Sequence, residues 1–207
     1  AYPADMSLLW QLYRTQNPDF DPNGTADTNG PGSPADGGMQ TVLLLAYLAE
    51  HGMPGSGRKV AGWATVDLRD EHELDAAIAI FGRLWLDVIV AQAQQQQFAQ
   101  GEPWDYDPRS PEEGGHAILG GGMSPASDES MDAETWAQVV KLTDRFRERQ
   151  VQTAFVVIWE DELADPAFLE GINAQAAADA FFTLTGKRFP GASEPVAEVP
   201  AVAGQPV

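Results

Sequence analysis

Apolar residues recur at helical spacing in the first quarter of the chain and in alternating or continuous runs after it. Leu8, Leu9, Leu12 and Tyr13 share one face of a helix over 4–16, with Met6 and Trp10 beside it. Met39, Val42, Leu43, Ala46 and Tyr47 mark a second helix over 39–51, which Gly52, Pro54 and Gly55 end. Between them, Asn17 to Gly38 is crowded with Pro, Gly, Asp and Asn and has no period, so it reads as a long loop.

Residues 59–67 read as a strand. Asp70 is placed to N-cap a helix over 71–81, with Glu73 at the capping-box position and Gly82 as the stop. The near-continuous apolar run Leu84–Val90 predicts a strand covered on both faces. Gln94–Gln97 is expected as a polar helical turn, and 101–113 as a Pro- and acid-rich loop. A glycine-framed strand over 114–122 follows, its Gly120–Gly122 run expected to turn. Next come a strand over 134–140, a helix over 143–150 capped by Thr143, and a buried strand over 154–159. A helix near 174–185 closes a domain placed at 1–190. Residues 191–207, Ala, Pro, Val and Glu without period, are expected to be a flexible tail outside the core. The order predicts an α+β fold, helices first and a mainly antiparallel β part after them.

Charge and composition narrow the classes. The 207 residues carry 31 Asp+Glu against 12 Lys+Arg, a net charge of −19. Nucleic acid and anionic membrane surfaces both select a basic face, so neither is expected as a partner. Hydrophobic residues at 43% are enough for a packed core. No apolar run approaches the roughly 20 residues of a membrane-spanning helix, and Ala1-Tyr2-Pro3 opens no basic and apolar leader. With 0 Cys there is no disulfide, no thiolate metal site and no cysteine nucleophile in these residues.

The candidate chemistry centres on one histidine. His51 at a helix end reads as a charge favoured by the helix dipole, and His72 among acidic residues as solvated surface. Neither has the spacing of a zinc site, and no metal or cofactor is expected. Gly120–Gly122 lacks the Lys and Ser/Thr of a phosphate loop, and no Gly-x-Ser-x-Gly elbow exists. The six Trp could form a sugar platform, but most stand in apolar strands and read as core. His116 differs. Gly114 and Gly115 precede it and an apolar strand follows, and glycines beside a polar residue let a ligand or another backbone approach closely. On residues alone it is either a hydrogen-bonded structural histidine or a general base.

Gly114-Gly115-His116-Ala117-Ile118, then Thr135-Trp136-Ala137, a helix, and Ala154-Phe155-Val156-Val157-Ile158 together resemble the C-terminal half of a papain-like (C1-type) peptidase fold. The strand, helix and buried strand of Val60–Val90 are similar to the same family's order. Leu12-Tyr13, Phe20-Asp21-Pro22, Asp36-Gly37-Gly38 and the 39–51 helix bring the chain nearer to papain-like proteins encoded by phages and prophages of actinobacteria. The likeness spans about residues 8–163. It implies a helical part and a β part with a cleft between them. It also implies His116 as the base on a strand at that cleft, and Glu134 or Thr135 at the position of the residue that orients it. Trp136 would be a largely buried ring beside the pair.

The departures from the pattern are chemical. The family's nucleophilic Cys opens a helix upstream of these motifs, and a Gln precedes it in the oxyanion hole. The chain has no counterpart of either, and Ala137 stands where a Gly is usual. A base without a nucleophile in reach does not hydrolyse. Three expectations follow. The first is a catalytically incomplete papain-like domain with a structural or protein-interaction role, a phage protein of the virion or host cytoplasm. The second is the His-bearing part of an active cysteine peptidase or amidase whose Cys lies on a separate segment. The third is an acidic α+β module binding a small molecule or sugar through its Trp residues.

Overall fold

The computed structural model describes residues 5–123 and 131–163, and the expected 174–185 helix and 191–207 tail lie outside them. The described chain is α+β. Its elements run α1 (Met6–Arg14), α2 (Thr41–His51), β1 (Val60–Val66), α3 (Glu71–Phe81), β2 (Leu84–Ala91), α4 (Gln92–Gln100), β3 (Glu112–Met123), β4 (Met131–Thr135), β5 (Gln138–Leu142), α5 (Asp144–Gln150), β6 (Val151–Trp159) and α6 (Glu160–Leu163). The six strands form one sheet in the order β1-β6-β2-β3-β4-β5, every neighbour antiparallel.

The caps follow the side chains available. Asp70 accepts the backbone N–H groups of His72 and Glu73, which starts α3, and Gly82 in the left-handed region ends it. Glu73 reaches back past the expected cap to the N–H of Asp67 at 3.0 Å. Thr143 accepts from Phe146 N–H and starts α5.

The sheet has two unequal covers. On one face, Leu84, Leu86 and Val88 of β2 pack with Ile118, Ala154 and Val156 under Leu74, Ala77 and Ile78 of α3 and Phe146 of α5. Burying each such Leu or Phe contributes about 1.5–3 kcal/mol. On the other face, Leu12 of α1 and Leu44, Leu45 and Leu48 of α2 lie over Val60 and Phe155. The register shift between Val60 and Gly62 lets Val60 join this second cluster while Ala64 and Val66 serve the first. The long loop 17–38 is ordered by buried Asn17, whose side chain donates to Gly38 O at 2.6 Å and accepts from Gly37 N–H at 3.1 Å.

Three expectations are corrected. The run 134–140 is not one strand but two, β4 and β5, joined by a turn at Trp136-Ala137. Gly120 and Gly121 are not a turn but part of β3: a Cβ on Gly120 would stand 2.7 Å from a Leu86 methyl and 2.9 Å from Met131 Sδ, so glycine is there for close packing. The glutamine run is the middle of a nine-residue helix, and Gln94 is fully buried.

Candidate functional site

β3 is unevenly paired. β2 lies along it from Glu112 to Gly120, but β4 joins its other edge only from Leu119 onward. At that point the β4–β5 hairpin turns. Thr135 pairs with Gln138, and the two residues between, Trp136 and Ala137, have φ of 45° and 61°. Two consecutive left-handed residues are the geometry of a type I′ hairpin turn, which favours Asn-Gly. A Trp there is held by its surroundings, not by local preference. Its ring stacks on His116 with centroids 5.1 Å apart, and meets Phe98 of α4 and Trp104 edge-on at 4.8 and 5.5 Å.

His116 thus sits on β3 beneath the hairpin tip. Its Nε2 is hydrogen-bonded to Thr135 Oγ1 at 2.9 Å. Thr135 is 5% exposed, so its hydroxyl serves the imidazole and is not offered to solvent. Burial lowers the pKa of His116 below its ordinary value, which keeps the ring neutral at neutral pH. Among the described residues no hydrogen bond engages Nδ1.

A groove of about 530 Å³ opens between this part of β3 and the hairpin. His116 to Leu119 form one side, Glu134 to Val139 the other, and Trp85 of β2 the far wall. Trp85 is steadied by Asp87, whose Oδ1 accepts from Trp85 Nε1 at 3.0 Å and from Thr41 Oγ1 of α2 at 2.6 Å. All lining residues come from β2, β3 and the β4–β5 hairpin with its Trp136-Ala137 turn.

Of the three sequence-derived site residues, His116 and Thr135 are brought together. Glu134 lines the same groove, but it alternates to the other side of β4, is exposed, and makes no hydrogen bond to His116. Trp136 is beside His116 as expected, yet 44% exposed, not largely buried, because it occupies a turn and not a strand interior. The expectation that most Trp are core is also corrected. Trp104 is fully buried in the first cluster, whereas Trp63, Trp85 and Trp159 are half-buried on the second face. His51 and His72 are exposed and line nothing here. Sequence reasoning missed Phe98, Trp104 and Asp87. Phe98 and Trp104 come from segments read as polar, and Asp87 interrupts an apolar run, which was the one available signal.

Among the described residues no group of three or more His, Asp or Glu converges on a metal position, and no helix is long and apolar enough to cross a membrane. No family model, no curated protein and no solved structure matches the chain.

Proposed function

We propose that this chain is a papain-like domain, spanning about residues 1–190, that holds a protein partner at the His116 groove and does not itself cleave peptide bonds. The observation that carries the reading is the His116–Thr135 pair under Trp136, an imidazole neutral and oriented beside an open groove. In a papain-like cleft the same three positions are base, orienting residue and covering Trp. The chemistry stops there. Thr135 is too buried to attack a substrate carbonyl, and the sequence contains 0 Cys. Without nucleophile and oxyanion donors, most of the rate enhancement is lost, each contributing on the order of 10²–10⁶-fold. A setting in a phage particle or host cytoplasm rests on the sequence resemblance alone.

The second reading is that His116 is the base of a cysteine peptidase or amidase whose thiol comes from a separate segment. The uncommitted Nδ1 favours it, since a base must have one nitrogen free for the incoming proton. Assay of the purified chain and of His116→Ala on peptide and amide substrates tests the first reading. Silence from both is the expected result. Turnover by the unmodified chain that vanishes in His116→Ala overturns it.

A further inference from the structure

The groove has a floor of bare backbone. Because β4 leaves β3 at Leu119, the outer edge of β3 from Glu112 to Ile118 has no strand beside it among the described residues. Among the described residues none of the backbone groups of Glu112–Ile118 bonds outside the β2–β3 ladder. Unpaired N–H and C=O groups along a strand are a template for another strand, and folded proteins normally shield them with charge, proline or a covering loop. Among the described residues no such shield stands at the centre of this edge. Gly114 and Gly115 carry no side chain, and a Cβ built on either would meet nothing within 4 Å.

We infer that the outer edge of β3 at Gly114–Ala117 takes an extended cationic peptide segment as an added strand. This rests on the reading of the His116 groove as a docking site. Main-chain hydrogen bonds to β3 provide the register, and the groove beside His116 and Leu119 receives alternate side chains of the incoming segment. Charge selects the occupant. Glu112 and Glu113 stand exposed at one end of the edge and Glu134 at the groove, while none of the groove's lining residues is Lys or Arg. The net charge of −19 opposes a second copy of the chain in the same seat and attracts a basic segment.

The probe is an acetylated, amidated hexapeptide of alternating lysine and valine. Its controls are the glutamate–valine counterpart and a lysine–valine peptide N-methylated at alternate residues. Amide hydrogen exchange is followed over 112–118. The lysine–valine peptide should slow exchange there, and the other two should not. The variant Glu112→Lys/Glu113→Lys should weaken binding about two- to fivefold for each charge reversed, with an unchanged far-UV spectrum. Equal binding by the N-methylated peptide would overturn strand addition while leaving a docking groove. No slowing by the lysine–valine peptide overturns the inference outright. Cleavage of the bound peptide that depends on His116 would instead overturn the non-catalytic reading and leave the edge pairing standing.

Discussion

At His116 burial disfavours the charged ring, so the folded imidazole holds its proton less tightly than the unfolded one. The sign follows. A depressed folded pKa means that the unfolded chain binds more protons once pH falls below the ordinary value of 6.5. The stability contributed above that value is therefore lost progressively as pH drops through the folded pKa. Urea unfolding at pH 7.5 and 5 should show an acid-side loss that is smaller in His116→Gln. A loss of the same size in both proteins would mean the ring is not the titrating group. Two residues away from the Thr135 partner, Ala137 holds a φ of 61°. An L-residue in that region costs about 1–2 kcal/mol, and glycine loses about 0.5–1 kcal/mol more chain entropy on folding. Ala137→Gly should raise stability by about 0.5–1 kcal/mol, read as a higher urea midpoint. In the sequence, the pairing of His116 with Thr135 is suggested only by the motif order of the papain-like resemblance. Nothing in residue spacing places position 135 against position 116, because their meeting depends on where β4 leaves β3.

At the scale of elements, the Gln94 side chain ties α4 to three neighbouring segments. Gln94 Oε1 accepts from Ala91 N–H at 2.8 Å and from Gln150 Nε2 at 2.9 Å, and its Nε2 donates to Asp105 O at 2.7 Å. One amide thus joins the end of β2, the end of α5 and the loop after α4. Gln94→Ala removes all three bonds and leaves Ala91 N–H without a partner, while Gln150 Nε2 keeps Ile89 O and Asp105 O keeps Gln97 Nε2. A buried group left unmet costs about 1–3 kcal/mol unless water rescues it. A loss of about 2–4 kcal/mol in chemical unfolding is expected, and a loss under about 0.5 kcal/mol would mean that water replaces the amide. Periodicity located α1, α2, α3 and the apolar strands β2 and β6, since their patterns are set by one-sided or two-sided burial. It failed where burial and local preference disagree. A glutamine run gives no sign that its first member is core, and Thr135-Trp136-Ala137 offers none of the Asn-Gly chemistry that announces a hairpin turn.

Over the described molecule, the α1–α2 cover reaches β1, β6 and β2 but not the β3–β5 half of the same face. Val42 and Leu43 on the outer side of α2 and Leu119 and Val139 on the sheet are accordingly exposed, Leu43 at 53% and Val139 at 63%. Since these side chains bury little, Leu43→Lys and Val139→Lys should each change stability by less than about 0.5 kcal/mol. They should also reduce binding of a hydrophobic dye. A loss above about 2 kcal/mol would show that these side chains already have a cover. The α+β class was legible because helical periods precede strand runs. The strand order was not, because a single sequence records which residues want burial and not which strand lies beside which. That order has a consequence for synthesis. β6 is the last of the six strands to leave the ribosome, and it lies between β1 and β2, joining them. A nascent chain that has reached only Gln150 holds β1 without its one neighbour among the described strands and β2 with an open side, about 90 residues after β1 was made. The sheet therefore assembles post-translationally, or only as the last strand emerges, and stalling before Val151 exposes two apolar strands to aggregation or to chaperones.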